Sequence, residues 1–556
     1  MKEKIKGYIM KKGWTKFDII FYCIIIGLFL FTRLYKILTV PYGIHIDEAS
    51  MGLNVKDLVE YGVDRYNKPY PIYFDNANSG QSSLYVYVAV LLAKIFGYSL
   101  FLLRSVSVLF GGILLYFSNK IALKVSGKRC AKALSVVIIM LPFFITSQRF
   151  AFDCYAILPM FVMTLYWFMQ MIDTGKKRYA ILTGVGIALT CYSYILSVII
   201  VPTFVVLALV YLVVSKQLNI KLIGLTMVTS LICAFPFMYY LGVVKGWLPE
   251  INSFVTITKA SSYRMNEFHY MHHSLGRLAS RIYTLFTKDN YDFTSSGVGV
   301  IYNHEMHILG FSISFEFVLF LVALGIFIVR AVKGGKKDKR WLILATGVSS
   351  VIGLLFLQQA VIYRHIILYF TVAYIFADLF CFLLDKKLFV MVSFCCLFLC
   401  YNFSTYIGSL LFADEIKLLD YFDKDLYDVC EYIEEQGRFK DSEIYIDNVS
   451  CLNPGLVCLY SMDIHPKDYV KDIKNDYSYN VPFANLHFGI TDDTVKEKSV
   501  YVVREFSGGT RLYTQESIGD KTMDERISLE QQLGSNLQKK GIKYEKIGNY
   551  RIYKVD

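Results

Sequence analysis

The stretch SLYVYVAVLLAKIF, residues Ser83 to Phe96, is apolar, ends near a lysine (Lys94), and is short for crossing a bilayer, whose hydrocarbon of roughly 30 Å takes about twenty residues at ~1.5 Å each. Whether it crosses decides the side on which every later loop falls. If it spans, the basic run Lys120, Lys124, Lys128, Arg129, Lys132 lies outside, and so do Lys176, Lys177, Arg178 and the cluster Lys333, Lys336, Lys337, Lys339, Arg340, which breaks the positive-inside rule three times. If it lies along the interface as a juxtamembrane helix, all three clusters return to the cytoplasm together with Lys216, Lys221, Lys386 and Lys387. The interfacial reading is therefore taken.

Working outward, the N-terminal MKEKIKGYIMKKGWTK carries six Lys, which places it in the cytoplasm. Phe17 to Leu38, with its core FDIIFYCIIIGLFLF, is the first span, and no small-residue cleavage site follows it, so it reads as uncleaved. Pro41 to Gly80 is then an outer loop. Further spans are expected at 100–122, 131–147, 155–172, 179–195, 198–214, 220–243, 308–332, 341–359, 362–384 and 387–407. The fold class is thus an α-helical polytopic membrane protein of about eleven transmembrane helices, with its C-terminus outside. From about Ala413 the composition turns charged, and the strand-like SEIYIDNV and SVYVVREF and the hairpin-like YEKIGNYRIYKV follow. Residues 1–412 are read as the transmembrane domain and 413–556 as a small extracytoplasmic α/β domain.

The chain is 55% hydrophobic over 556 residues, more apolar surface than a soluble domain buries. Its net charge of +12 sits in the short loops between spans, which makes it topological and argues against nucleic-acid binding. Of the twelve Cys, Cys430, Cys451 and Cys458 fall in the soluble tail, an odd number that predicts no disulfide framework.

The first outer loop, YGIHIDEASMGLNVKDLVEYGVDRYNKPYPIYFDNANSGQSSLY, places Asp47 beside Glu48 within a few residues of the first span. Adjacent carboxylates at a low-dielectric boundary repel, which raises the proton affinity of one and suits it to act as a general base. Helical neighbours point about 100° apart, so one of the two faces a cavity. The plainer alternative is that both only favour the N-terminal dipole of an interfacial helix. In SQRFAFDCYAILP, Arg149 and Asp153 are four residues apart: an exposed helical ion pair, or a guanidinium and a carboxylate at the level of a lipid phosphate. In QQAVIYRHIILYF, Arg364 and His365 stand at an outer turn, where an arginine either snorkels to headgroups or binds a phosphate; Arg104 has the same ambiguity. Asp47, Arg104, Arg149, Asp153 and Arg364 all map to one face of the membrane. The loop from Lys245 to His307 holds five of the nine His, including His272, His273, His304 and His307, but lacks the H-E-x-x-H spacing of a helical zinc site, so no metal is assigned and the loop reads as a substrate cover.

The segments HIDEASMGLNVKDLVEYGVDRYNKPYPIYF, GQSSLYVYVAVLLAKIFGYSLFLLRSVSVLFGG, SQRFAFD, CYSYILSVIIVP and YRHIILYF together resemble membrane glycosyltransferases of the GT-C fold, nearest to the protein O-mannosyltransferase and aminoarabinose transferase superfamily. The resemblance covers roughly the first 410 residues. It implies juxtamembrane helices in the first outer loop and transfer of a sugar from a polyprenyl-phosphate carrier outside the cytoplasmic membrane, with no nucleotide sugar at the site; no cofactor is assigned, a divalent metal being the less favoured alternative. It matches the family's two acidic positions to Asp47 and Asp153, with Glu48 beside them. Some relatives carry a Lys-Pro pair where this chain has Gln81, Ser82 and Ser83, so the donor-phosphate contact is expected from Arg149 and Arg364, with Arg104 and His365 alongside, and a substrate cavity from Gln81, Tyr85, Tyr192 and Tyr194. The acceptor is open between protein, teichoic acid, polysaccharide and glycolipid. The rival functions are a lipid-linked sugar flippase and a polysaccharide polymerase.

Overall fold

The computed structural model describes residues 15–40, 43–76, 79–259, 313–355, 366–412, 424–437, 441–448, 454–473, 482–490, 494–505 and 523–556. Helix α1 (Lys16–Leu34) leads into a loop helix, α2 (Ile46–Glu60), a hairpin of β1 (Tyr73–Asn76) and β2 (Ser79–Ser82), and α3 (Ser83–Phe96). A helical bundle follows: α4 (Leu100–Val125), α5 (Lys128–Met140), the short α6 (Pro142–Thr146), α7 (Ile157–Thr174), α8 (Lys177–Ser193), α9 (Ser197–Val214) and α10 (Ile220–Val244). After the small hairpin β3 (Ile251–Asn252) and β4 (Thr256–Ile257) come α11 (Ile313–Gly334), α12 (Arg340–Leu355), α13 (Ile366–Asp385) and α14 (Phe389–Phe412). Among the described residues, six helices are long and apolar enough to cross a membrane by length and composition, and the chain is a multi-pass membrane protein.

Electrostatics fixes the order of ends. Thr15 and Asp18 form a capping box on α1, and the buried Asp18 carboxylate is paired with Lys128 and, at 2.7 Å, with Lys132, both on α5. The start of α1 and the α4–α5 junction therefore share one end of the bundle. Everything between α1 and α4 begins and finishes at the opposite end, and α3 is shorter than the helices long enough to cross a membrane. It buries Tyr85, Val86, Ala89 and Ala93 while leaving Leu91, Ile95 and Phe96 exposed, the one-sided apolar face of a helix lying along a bilayer surface. Other members of that basic run and a member of a later cluster join the Asp18 end: Lys124 and Lys339 both pair with Asp173, and Arg129 pairs with Asp385 at 3.1 Å.

The expected span 131–147 is interrupted. Pro142 has no N–H to offer Ile138 and ends α5. The carbonyls this frees are taken by a side chain from α1, since Arg33 donates to Ile138 O at 3.0 Å and Ile139 O at 2.9 Å.

Residues from Lys424 on build a five-stranded sheet in the order β6-β5-β7-β9-β8, where β5 is Glu443–Ile446, β6 Leu486–Phe488, β7 Ser499–Arg504, β8 Tyr544–Ile547 and β9 Tyr550–Val555. Strands β5, β6 and β7 run parallel, and β9 lies antiparallel between β7 and β8. Its helices are α15 (Lys424–Gln436), α16 (Pro454–Ser461), α17 (Pro466–Tyr469) and α18 (Met523–Lys539). This sheet shares its core with the first loop: Ile44, Ala49 and Leu53 pack in one apolar cluster with Leu456, Val457, Tyr460 and Ile446. The fit is close at Gly52, where a Cβ would lie 2.4 Å from the Tyr460 ring and 2.6 Å from the Tyr98 hydroxyl. Lys56 adds a hydrogen bond to Met462 O at 3.1 Å.

Because both neighbours at Gly52 are bulky, with Tyr460 buried and Tyr98 half-buried, Gly52→Ala is expected to destabilise by ~1–3 kcal/mol through overpacking. The thermal unfolding midpoint of the purified protein in detergent reads this out; an unchanged midpoint contradicts the tight contact.

Candidate functional site

The end of α1 opposite Asp18 is held by three arginines without solvent exposure to speak of: Arg33, Arg104 and Arg149. Arg149 donates to the carbonyls of Thr32 (2.8 Å), Tyr35 (3.0 Å) and Val40 (2.8 Å), satisfying the orphan acceptors at the end of α1. Arg33 donates through Nε to Gln148 Oε1 at 2.9 Å besides capping α5. Arg104 donates to Ile37 O at 2.7 Å and Gly43 O at 2.8 Å, then grips Glu48 with Nε and Nη2 at 3.0 and 2.8 Å. Glu48 is fully buried and also accepts from the backbone N–H of Ala151 (2.9 Å) and His45 (3.3 Å).

These contacts correct part of the sequence reading. Glu48 is a structural counter-ion, with both oxygens engaged. Arg104 and Arg149, expected at a donor phosphate, point inward and bind the chain's own carbonyls. Tyr85, expected to line a cavity, is fully buried, and its phenol donates to Leu103 O at 2.8 Å, tying α3 to α4. The Tyr192 hydroxyl donates to Cys233 O at 3.2 Å, tying α8 to α10, and Tyr194 is buried. Arg364, His365 and the histidines of the long loop lie outside the described residues.

Asp47 behaves differently from its neighbour. Its side chain is 39% exposed, whereas Glu48 has none; the two carboxylates diverge as helical neighbours must. The Asp47 N–H donates to His45 Nδ1 at 3.1 Å, so that nitrogen is unprotonated, and burial lowers the proton affinity of the imidazole. Asn76 Nδ2 donates to Asp47 Oδ1 at 3.3 Å. The amide of Asn76 is oriented in turn: its oxygen accepts from Ser50 at 2.7 Å and from Arg65 at 3.3 Å, and Arg65 also donates to Asp75 O at 2.5 Å. Asp153 lies against the other end of the same hairpin. Its carboxylate accepts the Ser82 N–H at 2.8 Å, just where α3 begins. Asn76 pairs with Ser79 and Tyr73 with Ser82, so the two acids engage points three residues apart along the ladder, roughly 10 Å. Gln81 is buried in this hairpin with Asn54 Nδ2 at 3.5 Å. At Gly80 a Cβ would meet the Tyr73 ring at 2.0 Å, which leaves no room for any side chain.

Sequence reasoning missed Arg33, Ser50, Arg65 and Asn76. Arg33 carried a usable signal, an arginine inside an apolar span; Arg65 and Asn76 carried none beyond lying in the acidic loop. Among the described residues, no group of three or more His, Cys, Asp or Glu could hold a metal. Two apolar cavities open inside the bundle, one of about 250 Å³ among α7 to α10 and one of about 280 Å³ among α5, α11, α13 and α14; neither is lined by these acids.

No family model matches the sequence, and no curated protein matches it. Among solved structures, ArnT from Cupriavidus metallidurans bound to undecaprenyl phosphate aligns with a TM-score of 0.50 at 10% identity, covering 80% of this chain and 84% of that one. The same protein in the apo state gives 0.48 at 11% identity, with 80% and 84% covered. The archaeal oligosaccharyltransferase AglB from Archaeoglobus fulgidus, in complex with an inhibitory peptide and a dolichol-phosphate, gives 0.49 at 12% identity, with 82% and 64% covered. The likeness to the first of these establishes the fold: this chain has the GT-C architecture.

Two outcomes follow from the buried charges. Arg104→Met strands the Glu48 carboxylate in the interior and is expected to cost ~3–5 kcal/mol; the drop in unfolding midpoint should be partly restored by adding Glu48→Gln, and absence of any drop contradicts the pairing. Burial pushes the Asp57 carboxyl up to about 8 from its ordinary 3.8. Between those values the folded protein keeps a proton that the unfolded chain has lost, so stability declines as pH rises through that window. Asp57→Asn is expected to flatten the fall in unfolding midpoint between pH 5 and 8, and an equally steep fall in the variant contradicts the assignment.

Proposed function

We propose that this protein is a glycosyltransferase that moves a hexosyl or pentosyl group from a polyprenyl-monophosphate carrier to an acceptor hydroxyl on the outer face of the cytoplasmic membrane. The observation that carries the reading is Asp47: on a GT-C fold, it is the acid in the first turn of the loop helix α2 whose carboxylate reaches solvent, while its neighbour is locked to Arg104. In this reading the Asp18 end faces the cytoplasm, and the loop helix, hairpin and C-terminal sheet lie outside.

Asp47 takes or orients the acceptor proton as the bond from the anomeric carbon to the phosphate oxygen breaks. Asn76 holds the carboxylate toward the reacting group, and Ser50 and Arg65 hold Asn76. Displacement in a single step inverts the anomeric centre. The charge left on the lipid phosphate is balanced by Arg364 with His365, since Arg104 and Arg149 are committed to the scaffold. Asp153 serves by fixing the hairpin at Ser82.

The test is transfer by purified protein in lipid nanodiscs supplied with a panel of polyprenyl-monophosphate sugars. Asp47→Asn is expected to remain folded and lose transfer by about 10²–10⁴-fold; an active, well-folded Asn variant rejects the role. Arg364→Ala is expected to raise the donor KM by about tenfold or more, the size of one charge-assisted hydrogen bond, and an unchanged donor dependence rejects that assignment. Activity only with a lipid diphosphate oligosaccharide favours a polymerase, and movement of the intact lipid-linked sugar without transfer favours a flippase.

A further inference from the structure

Two cysteines in the C-terminal sheet domain meet without any role in the chemistry above. Cys430 projects from α15 and Cys458 from α16, 28 residues later, and their sulfurs are 2.8 Å apart. Both are fully buried, in one apolar cluster with Leu426, Val429, Ile433 and Leu456. That separation is shorter than the ~3.5–4.0 Å at which even carbon atoms rest against each other, and closing it to the ~2.05 Å of a covalent bond requires less than 1 Å of movement. Among the described residues no third metal-ligating side chain accompanies them. The domain sits at the end of the bundle away from Asp18, through the contact of α16 with α2. If that end is outside, as the proposed function has it, the pair matures where thiols are oxidised.

We propose that Cys430 and Cys458 form a structural disulfide that staples α15 to α16, the helix on which the Asp47-bearing helix rests. The odd number of tail cysteines is no obstacle, because a bond between these two leaves Cys451 as a thiol. The bond forms by exchange with an oxidised dithiol protein. One cysteine thiolate attacks the carrier's disulfide, giving a mixed disulfide and releasing one carrier thiolate. The second cysteine, losing its proton, attacks the first cysteine's sulfur and expels the other carrier thiolate. Two protons and two electrons pass from the pair to the carrier. The consequence is local: Tyr460 at the foot of Gly52 and Met462 O under Lys56 belong to or adjoin the stapled helix, so the bond holds the seat of α2.

The experiment is thiol counting by mass spectrometry on full-length protein, alkylated with N-ethylmaleimide in denaturant straight from membranes. The chain has twelve Cys. Without reductant the expected uptake is two short of twelve, rising to twelve after reduction, with the Cys430 and Cys458 peptides recovered joined. Full uptake without reductant, or a bond that includes Cys451, overturns the proposal. Cys430→Ser and Cys458→Ser are each expected to leave every remaining cysteine reactive without reductant; a surviving bond in either overturns it as well. Orientation is tested apart, by labelling Lys540→Cys in intact cells with a membrane-impermeant maleimide. Labelling from outside combined with full thiol uptake sinks the staple while leaving the transferase reading standing. Labelling only after permeabilisation sinks both.

Discussion

A helix whose end is buried must find donors for its last carbonyls, and this protein answers with guanidinium groups. Arg149 covers the end of α1, Arg33 covers the break before Pro142, and Arg104 covers the turn into α2 while neutralising Glu48. Any one of them left unpaired in that position costs several kcal/mol, and each instead uses several of its five donors. The outcome is rigidity at one point: Val40 is tied to the α6–α7 connection and Gly43 to α4, and Asp47 follows a few residues along. The acid that reaches solvent is precise because everything behind it is fixed.

Much of this was legible in the sequence and some was not, for physical reasons. The interfacial reading of Ser83–Phe96 comes from charge counting, because lysines and arginines avoid crossing a bilayer; the pairing of Asp18 with Lys128 and Lys132 puts the start of α1 and the α4–α5 junction at one end of the bundle. The helices, the sheet strands and the final hairpin follow from periodicity. The roles of the arginines did not, since sequence position tells which membrane face a guanidinium occupies and says nothing about whether it points at a ligand or at backbone. Arg104 and Arg149 lie on the expected face and turn inward. Asp47 and Glu48 were indistinguishable by spacing; only the partner on α4 separates the exposed carboxylate from the buried one.

The division into a membrane part and a soluble tail, natural from composition, hides a shared interior. The loop helix sends Ala49 and Leu53 to the cluster it shares with α16, Met51, Val55 and Leu58 to a second apolar cluster with Phe74 of the hairpin and with α3, and Ser50 to Asn76, so its faces belong to different layers of the molecule. Neither layer alone would bury it. The hairpin, the loop helix and α16 form a stack whose order sets the height of Asp47 above the bundle.

That shared interior bears on how the protein is made. Ile44, Ala49 and Leu53 emerge early in synthesis, yet the residues that cover them, Leu456 to Tyr460, come some four hundred positions later. Contacts so distant along the chain close late. During most of translation the segment holding Asp47 waits with an uncovered oily side, and a polypeptide cut short before Pro454 would reach the membrane with every span in place and its working helix still unfinished.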